Sequence, residues 1–130
     1  MTSSNDRHPH QLVVVGTDTD VGKTVISALL VQGLSAHYWK PVQCGDLDIG
    51  GDTCRVANLC GLSADERKER LLPEAYRLQA PASPNQAAAA EGFAVDPAQL
   101  SLPPVNGPLV VETAGGLLVP LRDDYLQIQQ

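Results

Sequence analysis

The chain has 130 residues, 43% hydrophobic but only 4% aromatic, enough for one domain whose core rests on Val, Leu, Ile and Ala. A net charge of −6 without any run of Lys or Arg excludes a sequence-independent grip on DNA or RNA. No apolar stretch approaches the roughly 20 residues that span a bilayer, and three cysteines without a CxxC pair (Cys44, Cys54, Cys60) read as reduced thiols of a cytoplasmic protein.

Residues 1–10, MTSSNDRHPH, are polar and read as a flexible tail ahead of a single α/β domain over 11–130. His8 and His10 belong to that tail and resemble a metal-binding pair only superficially. Gln11 to Val15 is a short valine-rich run suited to a strand buried on both faces of a parallel sheet. Lys23 to Leu34 carries Val25, Ile26, Leu29, Leu30 and Leu34 at helical spacing. Ala36 to Trp39 predicts a second strand, halted by Pro41, and Cys44 to Gly51 a glycine-rich loop. Asp52 is placed to cap a helix running to about Cys60, closed by Gly61. Ser63-Ala-Asp-Glu66 is a capping-box pattern before a charged helix that Pro73 ends. Tyr76 to Leu78 is extended. Ser83-Pro84 opens another helix through Ala87–Ala90, stopped by Gly92, and Asp96-Pro97 repeats that start signal. Leu109 to Val111 is a second buried strand delivering Glu112, and Asp123 is placed to begin a final helix. Alternating strands and helices predict a mainly parallel sheet flanked by helices, with ligands at the carboxyl ends of its strands.

Three places carry chemistry. Gly22-Lys23-Thr24, opening a helix after a strand, is the core of a phosphate-binding loop. Unpaired amides at the helix start favour a polyphosphate, Lys23 reaches the outer phosphates, and the Thr24 hydroxyl suits a magnesium ion. The spacing departs from GxxxxGK[ST], because Thr17 stands where that pattern has glycine; the plain alternative is a strand-to-helix turn with an exposed lysine. Lys40, ahead of Pro41, could neutralise charge on a transferring phosphoryl group; from spacing alone the stronger reading is a solvated lysine at a strand end. Asp52 and Glu112 are a possible carboxylate pair for Mg²⁺, although Asp52 alone reads as a helix cap. The Ala114-Gly115-Gly116 run after Glu112 lets backbone approach a ligand. His37 reads as a packing residue.

GTDTDVGKT, WKPVQ, YRLQAPASP and VVETAGG, in this order between Leu12 and about Leu121, resemble the dethiobiotin synthetase family of the biotin pathway. The resemblance implies a P-loop NTPase-type α/β fold. It also implies use of ATP, Mg²⁺ and CO₂ to close a cyclic urea on 7,8-diaminopelargonic acid (7,8-diaminononanoate), through a carbamate that ATP phosphorylates. Thr19, Asp20, Val21, Gly22, Lys23, Thr24 and Val25 then wrap the nucleotide, with Asp52, Glu112, Thr113, Ala114 and Gly115 also against it. Lys40 and Lys23 become catalytic, and Thr24, Asp52 and Glu112 hold the metal. Lys40 and Cys44 meet the substrate, Cys44 standing where the family has a hydroxyl residue. Thr113 replaces a usual glycine, and Asn85 a usual histidine. Family members are homodimers and run well past residue 130, so the resemblance implies an N-terminal portion with an incomplete sheet. Two other readings stay open: a non-catalytic deviant P-loop ATPase switch, against which Lys40-Pro41-Val42 and Ser83-Pro84 speak, and an inactive truncated relic.

Overall fold

The computed structural model describes residues 10–130. The tail expected over 1–10, with His8, lies outside the described residues except for His10, which is exposed. In chain order the elements are β1 (Gln11–Gly16), α1 (Lys23–Leu34), β2 (His37–Trp39), β3 (Val42–Cys44), α2 (Gly51–Leu59), α3 (Ala64–Arg70), β4 (Tyr76–Leu78), α4 (Pro84–Ala90), β5 (Leu109–Gly116), β6 (Pro120–Arg122) and β7 (Tyr125–Leu126). The mainly parallel α/β architecture is therefore the one observed, in three pieces. A central parallel sheet has the order β1-β5-β2, β3 pairs in parallel with β4, and β6 and β7 form an antiparallel hairpin.

The register explains where chemistry collects. Val14 stands beside Glu112, Gly16 beside Gly116, and Trp39 beside Val111. The exits of β1 and β2 and the second half of β5 therefore share one rim. β5 is the middle strand and is almost wholly buried, because it has neighbours on both edges and side chains packed on both faces. On one face Val14, Tyr38 and Val110 pack with Ala28, Val31 and Val56. On the other, Trp39, Leu109 and Val111 form a smaller cluster. A third cluster, with Val42, Leu78, Ala87, Ala88, Val95, Leu100 and Leu121, joins β3, β4, α4 and the terminal hairpin.

Local start and stop signals are respected. α3 begins with a complete capping box, the Ser63 hydroxyl accepting from the Glu66 amide and the Glu66 carboxylate accepting from the Ser63 amide. α4 has Ser83 at its N-cap and Pro84 in its first turn, and a 3-10 turn over Pro97–Leu100 follows Asp96.

Five expectations fail. β1 is not buried on both faces: Val13 is 58% and Val15 44% exposed, because β1 borders the sheet. The apolar stripe of α1 is not its packed face. Ser27, Ala28 and Val31 are buried, whereas Ile26 and Leu29 face out; the helix is apolar on several sides, and its small residues allow the closest approach to the sheet. Asp52 is not a cap. Gly50, at φ 83°, takes that position, and the Asp52 amide donates to Gln43 Oε1 at 3.0 Å. No helix starts at Asp123; that residue lies in the β6–β7 turn, where its carboxylate accepts from Asn85 Nδ2 at 2.9 Å and so ties the hairpin to α4. Cys44, expected to open a loop, instead ends β3, whose pairing with β4 joins segments more than thirty residues apart.

Candidate functional site

The segment between β1 and α1 is an open loop that turns sharply twice. Asp20 (φ 57°) and Gly22 (φ 104°) both occupy the left-handed region, which brings the start of α1 against the end of β1. The Gly22 carbonyl accepts the first helical bond, from Ile26 N at 3.1 Å. Lys23 is only 8% exposed, and its Nζ donates to the Asp18 carbonyl at 2.6 Å, curling back over the loop. Desolvation, and after it the charge of Lys40, lowers its pKa below the usual lysine value.

Behind the loop sits a cluster of opposite charges. Glu112, 1% exposed, accepts from Thr24 Oγ1 at 2.7 Å through Oε1 and from the Tyr38 hydroxyl through Oε2. Lys40, 5% exposed, places Nζ 2.6 Å from Asp52 Oδ2, 3.9 Å from Glu112 Oε1 and 3.4 Å from the Thr113 carbonyl. Lys40 is thus not a solvated strand-end lysine; it is the buried counter-charge of two carboxylates. Two carboxylates, a hydroxyl and two ammonium groups in one spot can exchange one cation for another and hold several phosphate oxygens at once.

These groups open into a crevice of about 920 Å³. Thr19, Asp20, Gly22, Lys23, Thr24, Val25, Lys40, Cys44, Asp52, Glu112, Ala114 and Gly115 all line it, with Pro81 to Pro84 forming the opposite wall. Two expected residues do not. The Val21 side chain faces solvent, 52% exposed. Thr113, which is 3% exposed, turns its hydroxyl into the sheet, donating to the Val14 carbonyl at 3.2 Å. Only its backbone carbonyl reaches the cluster, through Lys40. Burial pushes the Cys44 thiol up to about 11, against the pull of Lys40, so it meets the crevice as a neutral thiol at neutral pH. His37 does not line the crevice.

Three contributors escaped sequence reading. Gln43, 3% exposed, donates from Nε2 to the Gly45 carbonyl at 3.1 Å and accepts from the Asp52 amide, so it orients the first turn of α2. Arg55 pairs with Asp46 at 3.2 Å and Asp52 at 3.4 Å; its position three residues beyond Asp52 was the available signal. Tyr38 gave no signal beyond its place next to Trp39-Lys40.

The donor set fits a magnesium ion carried by a polyphosphate. Among the described residues no three His, Cys, Asp or Glu side chains gather as a metal cage. What gathers is one hydroxyl and two carboxylates, a hard all-oxygen set that leaves places for phosphate oxygens and water. Among the described residues, no helix is long and apolar enough to cross a membrane.

The family described as AAA domain matches residues 10–130. The chain is similar to the ATP-dependent dethiobiotin synthetase BioD of Afipia carboxidovorans, 55% identical over 119 residues, which are 91% of this chain and 54% of that protein. It is similar to the protein of the same name from Agrobacterium fabrum, 53% identical over 89% of this chain and 52% of the relative. A third such relative, from Rhodopseudomonas palustris, is 58% identical over 85% of this chain and 50% of its own length. The chain spans about half the length of the curated relatives it matches.

Proposed function

Because the chain belongs to the AAA domain family and shares more than half its aligned residues with ATP-dependent dethiobiotin synthetases, we propose that its crevice binds ATP with Mg²⁺ and serves a cyclic-urea-forming ligase of biotin biosynthesis. The substrates would be 7,8-diaminopelargonic acid and CO₂, in a cytoplasmic enzyme that works as a homodimer. The observation that supports this reading is the convergence at one strand rim: Thr24 2.7 Å from Glu112, and Lys40 2.6 Å from Asp52 and 3.9 Å from Glu112.

In this reading the loop from Thr19 to Val25 takes the triphosphate at the α1 N-terminus, where unpaired amides carry about half a positive charge. Lys23 leaves the Asp18 carbonyl for the outer phosphates. Thr24, Asp52 and Glu112 would hold a magnesium ion, which would supply charge neutralisation to the phosphates. Lys40, which now pairs with Asp52 and Glu112, would face the carbamate and the phosphoryl group with its ammonium once Asp52 served the metal. Cys44, a neutral thiol, sits where the diamine would lie and offers only a weak hydrogen bond. Such a site works by positioning, which can account for about 7–11 kcal/mol of a barrier between held reactants. It needs no acid–base dyad.

The test compares three proteins in the presence of diaminopelargonate, bicarbonate, Mg²⁺ and ATP. They are the 130-residue chain, the chain joined to the remaining half of the Afipia relative, and the joined protein with Lys40→Ala. The joined protein is expected to release phosphate only with the diamine present and to form the cyclic urea. Lys40→Ala is expected to lose most of that turnover while still binding nucleotide. ATP consumption indifferent to the diamine would overturn the ligase reading and favour a nucleotide switch.

A further inference from the structure

The aromatic pair on β2 divides its labour between the two faces of the central sheet. Trp39 turns to one face and donates from its indole nitrogen to the Pro73 carbonyl at 3.1 Å. Tyr38 turns to the other, fully buried at 0% exposure, in the cluster that packs under α1. Its backbone is held from two sides. It stands in register with Val110 of β5, and its carbonyl accepts from the Leu72 amide at 2.9 Å. A residue pinned in this way has little freedom to move its ring.

Glu112 lies two positions beyond Val110 on the same strand, so its side chain leaves the sheet on the face that Val110 and Tyr38 share. It is the diagonal neighbour of Tyr38, within reach of a long side chain. The Tyr38 hydroxyl accordingly donates to Glu112 Oε2, while Oε1 accepts from Thr24 and is the oxygen nearer Lys40. With Glu112 1% exposed, a carboxylate rotated out of this arrangement would leave an oxygen buried without a donor.

We propose that Tyr38 is a positioning residue: it occupies one oxygen of Glu112 so that only the other faces Thr24 and the crevice, as a single-oxygen metal ligand. This rests on the reading of Thr24 and Glu112 as holders of the nucleotide's metal. Tyr38 does not line the crevice. It acts by fixing which lone pairs are offered, as groups behind metal ligands commonly do.

The test is Mn²⁺ binding to the 130-residue chain saturated with a non-hydrolysable ATP analogue, counting free Mn²⁺ by electron paramagnetic resonance. Tyr38→Phe is expected to weaken Mn²⁺ binding about 10- to 100-fold, while affinity for the metal-free analogue stays within about twofold. Glu112→Gln is expected to weaken Mn²⁺ binding at least as much, and the double variant to lose little more, because both changes act on one carboxylate. Unchanged Mn²⁺ binding in Tyr38→Phe beside a loss in Glu112→Gln would overturn the positioning role and leave the metal site standing. Additive losses in the double variant would overturn it too. Unchanged binding in Glu112→Gln would bring down the metal reading itself, and the role of Tyr38 with it. Should Tyr38→Phe fail to fold, the parent chain still decides. With ¹³Cζ-tyrosine in its three tyrosine positions, the Tyr38 resonance should shift when Mg²⁺ joins the bound analogue; a resonance that stays put refutes the proposal.

Discussion

Replacing Lys40 by methionine keeps the length of the side chain and removes its charge from between two carboxylates. At an effective dielectric of about 20, unit charges 2.6 Å and 3.9 Å apart attract by about 6 and about 4 kcal/mol, before the cost of desolvating them. Breaking a buried pair from one side typically costs about 3–5 kcal/mol, because the remaining charge stays buried without a partner. One term works the other way: Lys23, whose pKa Lys40 helps to lower, is relieved of a repulsion. The lower end, about 3 kcal/mol, is therefore the expected net loss. For a chain of this size it corresponds to a fall in Tm of about 12 °C. Thermal unfolding followed by circular dichroism at pH 7, without nucleotide or metal, reads this directly. Adding Asp52→Asn to Lys40→Met should recover part of the loss, since one orphaned carboxylate disappears with the cation. A Lys40→Met midpoint within about 3 °C of the parent, or a double variant no better than the single one, would refute the idea that this ammonium compensates buried carboxylates.

Gly116→Ala would set a Cβ 2.8 Å from the Thr17 carbonyl, which is backbone and cannot swing away, so β1 and β5 must spread where the phosphate loop begins. A loss of about 1–3 kcal/mol in unfolding free energy, with weaker binding of a fluorescent ATP analogue, is expected; parent-like values of both would contradict it. Cys44 should react with iodoacetamide at pH 8 about 100-fold more slowly than an unhindered thiol, since burial pushes its pKa from the usual 9.0 up to about 11; peptide mass mapping over time checks this. A thiol whose folded pKa is raised stabilises the fold fully below its unfolded value and loses that contribution as pH climbs through the folded one. Cys44 therefore predicts falling stability between about pH 9 and 11, which Cys44→Ala should lessen in urea titrations across that range. Ser63→Ala should cost about 1 kcal/mol at neutral pH by removing the acceptor for the Glu66 amide, and a parent-like urea midpoint would argue against the cap. The Glu66 carboxyl is held below its usual range chiefly by the Ser63 amide, so its share persists above its unfolded pKa and fades as acid protonates it.

What could be read from residues alone was mostly what is local. The bounds of α1, the glycine at its start, the capping box at Ser63 and the Ser83-Pro84 opening all depend on neighbours within one turn, and each is found where its signal stands. The burial of β5 was legible too, because an unbroken apolar run ending in Glu112 has few other uses. What failed depends on distant partners. The packed face of α1 could not be chosen by periodicity, since several of its faces are apolar. The β3–β4 pair joins Val42 to Tyr76 through strands of three residues each, too short to show a period. Asp52 read as a cap because helix starts attract aspartate; its real partners, Lys40 and Gln43, come from β3 and the residues before it. The contact of the Tyr38 hydroxyl with Glu112 exists only because β2 lies beside β5, a pairing of distant segments.

The placement of β1 has a practical consequence. Among the described residues it has β5 on one side and no strand on the other, and Val13 and Val15 stand bare beside that open ladder. Outward-pointing amides and carbonyls along a valine-rich edge strand are a template on which another extended chain can zip, a second molecule of the same protein among them. Protein concentration thus belongs beside pH and magnesium among the variables to be held fixed, because a crowded sample invites self-adhesion at the very strand that carries the phosphate loop.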